Sequence, residues 1–242
     1  PDGNNLLPAR VLYKKNILAI RGSFRPVTNV NMDMFTSSSK MFYKDKDVNE
    51  KNTMNIFEIT LSNLMANSTG FIDEQDFMDR AKLLCAMGQT VMISNFKEYY
   101  RLVEYFSNYT TKKIRLSMGV SNLIEIFDEK YYRNLSGGIL EAFGKLFFKN
   151  MLVYLYPMID QKTGEIVNST NLRVSAQVKE LYKFFAYNKK VVDISNFNKD
   201  YLNIYSREVL SFINKGKQGW ELMLPNKVTE LIKEKQLFGY QK

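Results

Sequence analysis

The sequence predicts an α/β fold: a mostly parallel sheet flanked by helices, with an extra helical insertion. Two observations carry that expectation. Short apolar runs of strand length alternate with longer stretches of helical periodicity, the order that right-handed βαβ units require. The first run also ends in a glycine turn that leads into a helical pattern, where open parallel sheets bind their ligands.

Ile17-Leu18-Ala19-Ile20 is the first run, closing on Arg21-Gly22. Val91-Met92-Ile93, Ile114 to Met118, Met151 to Tyr156 and Val191 to Ile194 follow as further strands. Between them the apolar residues recur at helical spacing. In 76–88, Phe77, Ala81 and Leu84 share a face, and Gly88 supplies a C-terminal stop. In 96–110 the shared face is Tyr99, Leu102, Val103 and Phe106; in 138–150 it is Leu140, Phe143, Leu146 and Phe147. Val178, Leu181, Tyr182 and Phe185 repeat the pattern. The stretch 53–88 reads as helical throughout. The charged connection 43–52 is the best candidate for a mobile segment, and 158–174 for an exposed excursion. The whole chain, 1–242, is expected to form one Rossmann-like domain that includes the helical region 204–242.

Composition narrows the chemistry. Hydrophobic residues make up 45% of the chain, enough for a packed core. The single cysteine, Cys85, lies in the apolar pattern Leu83-Leu84-Cys85-Ala86-Met87 and is expected to be a buried thiol. With no second cysteine there is no disulfide, so a cytoplasmic location is expected. No apolar run approaches the ~20 residues that span a bilayer, and the polar start shows no secretory signal. That start, Pro1 without an initiating Met, raises the expectation of a processed product or the C-terminal part of a longer chain.

Histidine is absent. That excludes Ser-His-Asp and Cys-His catalysis and every histidine-based metal site. Any chemistry must then work through charge and positioning. A net charge of +9 suits an anionic partner.

The loop Gly22-Ser23-Phe24-Arg25-Pro26-Val27-Thr28-Asn29-Val30-Asn31 follows the first strand. Gly22 lets backbone approach a ligand closely. Thr28, Asn29 or Asn31 can cap the next helix, whose amide dipoles would then face an anion. These residues fit a phosphate-sized anion site, and they fit an ordinary capped turn equally well.

The order of residues resembles the first motif of the nucleotidylyltransferase superfamily, G-S-F-D-P-x-H/T-x-G-H, to which the nicotinate-mononucleotide and phosphopantetheine adenylyltransferases belong. Gly22, Ser23, Phe24, Pro26 and Thr28 match at the family spacing; Arg25 stands for Asp, Val30 for Gly and Asn31 for the final His. Downstream, Gly119 and Leu123 in Lys113 to Leu123 resemble the family's G-x-D-x-L, with Ser121 in place of Asp. Ile204 and Ser206 resemble its I-S-S-T-x-I-R, with Arg207 for Thr and Leu210 for the closing Arg. Gly216, Leu224-Pro225-Asn226-Lys227-Val228 and Leu231 to Phe238 are similar to the closing segment of the nicotinate-mononucleotide adenylyltransferases.

That resemblance implies a site and an activity. Thr28, Asn31 and Arg25 would be catalytic, with Arg21 or Arg25 supplying the charge lost with the histidine. Gly22, Ser23, Phe24, Gly119, Ser206 and Arg207 would bind the nucleotide. ATP with Mg²⁺ would be a substrate complex, and AMP would pass to a mononucleotide or related phosphate, as in NAD biosynthesis. Asp33, Asp128 and Asp193 are not spaced as a metal site, and none is expected. The alternative is a pseudoenzyme that binds a nucleotide or a protein partner. A third reading is a basic nucleic-acid-binding protein, with Tyr99-Tyr100 and Tyr131-Tyr132 stacking on bases among Lys97, Arg101, Lys130 and Arg133. No membrane partner is expected. Walker-type P-loop and G-x-G-x-x-G patterns are absent.

Overall fold

A computed structural model describes residues 4–61, 74–148 and 150–241. Six strands form one sheet: β1 (Asn16–Arg21), β2 (Thr53–Thr60), β3 (Val91–Ser94), β4 (Ile114–Gly119), β5 (Met151–Tyr156) and β8 (Val191–Asp193). Their order is β3-β2-β1-β4-β5-β8, and every neighbouring pair is parallel. This is the doubly wound Rossmann arrangement. The chain steps outward from β1 to β3, then returns to lay β4 against the other side of β1. Order reverses between those two strands.

Both faces of the sheet are covered, which is why β1 and β5 read as largely apolar runs. All six residues of β1 are buried. Ile17 and Ala19 point to one core, shared with α4 (Tyr99–Ser107), α5 (Val120–Ile126), α6 (Gly138–Leu146) and α7 (Lys179–Tyr187). Leu18 and Ile20 point to the other, shared with α2 (Asn29–Phe42), α3 (Glu74–Ala86), α8 (Ser206–Asn214) and α9 (Asn226–Lys235). A short first helix, α1 (Pro8–Leu12), precedes the sheet. Against β4, α2 presents Ser38, whose hydroxyl shares a 2.7 Å hydrogen bond with that of Ser117.

Several elements differ from the sequence reading. Residues 53–60 form β2, a central strand and not a helix. Glu58 hid it: a charged residue inside an apolar run is compatible with a buried strand only where Arg21 of β1 lies beside it to neutralise it. Residues 62–73 of the expected helical stretch lie outside the described residues. The 43–52 connection is tied down at several points, through Asp45 to Arg115 (2.6 Å) and through the ammonium groups of Lys15 and Lys113 to the carbonyls of Lys51 and Lys46. The 158–174 excursion holds a two-stranded antiparallel ribbon, β6 (Met158–Ile159) with β7 (Ile166–Val167). In α6, Phe143 and Leu146 are buried as expected, but Leu140 faces solvent in the first turn. Cys85 is half-buried rather than enclosed. No described helix is long and apolar enough to cross a membrane.

Candidate functional site

Where β1 and β4 diverge, their carboxyl ends open into a cleft of about 800 Å³. Ile20 to Arg25 form its floor, leaving β1; Met118 and Gly119 enter from β4, and Asn122 and Glu125 from α5. Lys97, Glu98 and Tyr99 descend after β3, while Asn31 and Arg80 come from α2 and α3. Ser206, Arg207 and Leu210 at the start of α8 close the last side. The turn after the first strand and the start of a late helix thus share one pocket.

The floor is shaped by the ring of Phe24. That ring is buried against Phe57, with centroids 5.4 Å apart, and Phe24 takes a left-handed φ of 47°. It passes so close beneath Gly22 that a Cβ there would lie 2.9 Å from two of its ring carbons. Glycine is required by proximity at this position. Phe24 therefore anchors the loop to the core.

The two arginines expected to supply charge are engaged by acids. Arg21 is buried, bound twice to Glu58, and sets a third bond on the Lys97 carbonyl. Its guanidinium also lies 4.4 Å from the Tyr99 ring centroid. Arg21 is thus a structural ion-pair member and does not present a free charge. Arg25 donates through Nε to Asp76 at 2.6 Å, and Asp76 is shared with Arg80, which in turn reaches the Ser23 carbonyl at 3.3 Å. Among the described residues this cluster sets two cations against one carboxylate. Lys97 and Arg207 are exposed, and neither head group has an ion-pair partner among the described residues. Of the lining acids, Glu98 pairs with Arg101 at 2.9 Å, and Glu125 has no such partner among the described residues. The balance favours an anion.

Asn31 is in the cleft and Thr28 is not. The amide and hydroxyl of Thr28 both donate to Asn31 Oδ1, at 2.9 and 3.0 Å. Thr28 is buried and acts as the helix N-cap, with extended backbone. Its part is to orient Asn31, whose Nδ2 remains without a protein partner among the described residues. Of the other expected residues, Gly22, Ser23, Phe24, Arg25, Gly119, Ser206 and Arg207 all line the cleft.

Lys97, Tyr99, Asn122, Glu125 and Arg80 were not singled out for this site by their sequence. Asn122 and Glu125 did carry a signal: they lie three residues apart just after the Gly119 turn, on one face of α5. Tyr99, Tyr100 and Tyr132 are packed in the core, and burial pushes the hydroxyls of Tyr99 and Tyr132 well above the ordinary phenol range. These rings are therefore unavailable as a stacking platform for nucleic acid. Among the described residues no three potential metal ligands cluster.

Over nearly its whole length the chain is similar to nicotinic acid mononucleotide adenylyltransferases. Two structures of the Plasmodium falciparum enzyme, one complexed with APC and one with NaAD, are each 12% identical to it. Each aligns over 94% of this chain and 98% of its own, with TM-scores of 0.48 and 0.45. A Vibrio parahaemolyticus protein described as a nicotinate-nucleotide adenylyltransferase is 14% identical over 94% of this chain and 97% of its own, with a TM-score of 0.46. At these identities the likeness concerns fold alone. No family model matches the sequence, and no curated protein does.

Proposed function

We propose that the cleft binds Mg-ATP and that the chain is an adenylyltransferase-like protein, passing AMP to a mononucleotide or related phosphate. One observation carries the reading: the Gly22–Arg25 turn and the Ser206–Arg207 helix start face each other across a single cleft with a positive balance. Its volume of about 800 Å³ lies in the range of cofactor and substrate sites.

The transfer needs no histidine to move a proton. A phosphate monoester acceptor is mostly dianionic at neutral pH, its second pKa being about 6. Its oxygen attacks the α-phosphorus in line, the bond from that phosphorus to the bridging β-oxygen breaks, and pyrophosphate leaves with the electron pair. The residues' work is positioning and charge stabilisation. Asn31 Nδ2, held by Thr28, donates to a phosphate oxygen; the outer nitrogens of Arg25 and the head groups of Lys97 and Arg207 offset the growing negative charge. Ser206 adds a hydroxyl at the α8 terminus. Magnesium enters with ATP, held by the phosphates themselves.

Incubation with Mg-ATP and either nicotinate or nicotinamide mononucleotide should release pyrophosphate. No release across such acceptors by intact folded protein removes the enzymatic reading.

A second reading is a diverged relative that binds the nucleotide without turnover. It is favoured by Arg21 being held on Glu58 and by a neutral amide at Asn31. That protein would be stabilised against heat by ATP while releasing no pyrophosphate. Absence of any thermal shift would remove it too.

A further inference from the structure

The amino ends of the strands form a second charged surface, about 20 Å from the cleft along the six residues of β1. The connections entering β1, β2, β4 and β8 (13–15, 43–52, 108–113 and 188–190) hold nine lysines and three acids. β2, β1 and β4 are adjacent, and β5 alone separates β4 from β8. With neighbouring strands about 4.8 Å apart, these connections make a face about 20 Å across. Helices α1, α2, α4 and α7 end here, and a helix C-terminus carries only about half a negative charge. Four such ends cannot offset the excess.

Two of the cations are held in place by neutral acceptors. Lys15 Nζ donates to the Lys51 carbonyl at 2.6 Å, and Lys113 Nζ to the Lys46 carbonyl at 2.7 Å. Of the acids, Asp45 is already engaged by Arg115 at 2.6 Å, with Lys113 3.7 Å away. Lys14, Lys112 and Lys189 are exposed, with no ion-pair partner among the described residues. Exposed rings stand beside them. The Lys14 ammonium lies 5.0 Å from the ring centroid of Tyr13, and Tyr187, 87% exposed, precedes Lys189 by two residues. Asn108 and Thr111 are exposed too, and neither side chain has a hydrogen bond among the described residues.

Cations that track a phosphate chain, with rings on which bases stack, are the elements that bind single-stranded nucleic acid. The amide and hydroxyl between them suit a 2′-hydroxyl, which both donates and accepts and which DNA lacks. These connections carry no exposed aliphatic side chain for insertion into a bilayer. We propose that this face docks single-stranded RNA, independently of what the cleft binds.

The test is fluorescence anisotropy of a labelled, mixed-sequence, single-stranded RNA with the intact protein. If about four phosphates are neutralised, log affinity should fall with log salt at a slope of about −3. Lys14→Gln, Lys112→Gln and Lys189→Gln combined should reduce that slope by about 2 and weaken binding at least about tenfold. All three side chains are exposed, so the melting temperature should not change. Tyr187→Ala should weaken binding about fivefold or more. DNA of the same sequence should bind more weakly, and ATP should not displace the RNA. No binding at low salt overturns the proposal, as does an unchanged slope in the triple variant or full affinity in Tyr187→Ala. Equal affinity for DNA, displacement by ATP, or binding of phosphatidylserine vesicles in place of RNA overturns it as well.

Discussion

Arg21 and Glu58, register partners on β1 and β2, hold each other through two hydrogen bonds of 2.5 and 3.0 Å at the mouth of the cleft. Glu58 is wholly buried and also accepts from the Ser94 hydroxyl on β3, so three adjacent strands are tied at their carboxyl ends. Such a pair contributes little relative to an apolar pair of the same shape, but losing one member leaves a dry, uncompensated charge. Glu58→Gln should therefore cost about 3–5 kcal/mol in urea denaturation. A double change, Arg21→Met with Glu58→Leu, should recover most of that. A loss below about 1 kcal/mol in the single variant would mean that water reaches Arg21.

The contact between Gly22 and the Phe24 ring sets a second expectation. Gly22→Ala forces a methyl group to 2.9 Å from ring carbons that are themselves enclosed by the core. Overpacking of this kind costs about 1–3 kcal/mol. The floor of the cleft should shift with it, so ATP affinity and melting temperature should fall together. A fully stable Gly22→Ala protein would show that the loop can lift away.

Thr28 and Arg207 should separate stability from binding. Thr28→Ala removes an N-cap and one of the two hydrogen bonds accepted by Asn31 Oδ1, for a loss of about 0.5–2 kcal/mol of stability. Arg207 is exposed and has no ion-pair partner among the described residues, so Arg207→Ala should leave the melting temperature unchanged. Its effect should be on ATP, weakened about tenfold or more by the loss of a charge-assisted contact. Equal ATP affinity in Arg207→Ala and the unmodified protein would take α8 out of the site.

Alkali should unfold this protein through its tyrosines. Tyr156 is pushed far above the ordinary phenol value, by burial first and then by its 2.6 Å hydrogen bond to Asp33. Burial raises Tyr99, Tyr132 and Tyr182 as well. In the unfolded chain these phenols ionise near their ordinary value of 10.0. A raised folded-state value means the folded form keeps protons that the unfolded form releases. Their contribution is complete below pH 10 and declines as pH rises beyond it. Tyrosinate absorbance should therefore lag behind that of free tyrosine and then rise with the loss of circular dichroism. Early, complete ionisation in the folded state would contradict this account. Tyr156→Phe should flatten the dependence.

The strands with continuous apolar runs were readable because a doubly covered parallel sheet demands such runs. β1 and β5 follow that rule, and β4 was readable from Ile114, Leu116 and Met118 in spite of Arg115 and Ser117. β2 does not, since Glu58 and its neighbours Asn55 and Thr60 break the pattern, and only the pairing with Arg21 makes a strand of it. At the site, the turn from Gly22 to Arg25 and the α8 start could be found because chain order preserved a motif. The roles within that turn could not. Whether Arg21 is a ligand or a buried ion pair depends on a residue 37 positions away. Thr28 and Asn31, both expected in the site, part for a similar reason: the cap geometry turns the Thr28 hydroxyl inward and leaves the Asn31 side chain in the cleft. Glu125 and Tyr99 come from separate helices, and their proximity arises only when α4 and α5 pack on the same face of the sheet.

The return of late segments of the chain to the residues just after β1 also bears on how the protein is made. Asn29, just inside α2, donates through Nδ2 to the carbonyl of Leu222, 193 residues later, at 3.0 Å. A polypeptide halted on the ribosome at residue 203 would possess all six strands of its sheet and still lack one side of the cleft. Any ligand that depends on Arg207 must wait until α8 has been made, and by mass action it would then favour chains that include that helix.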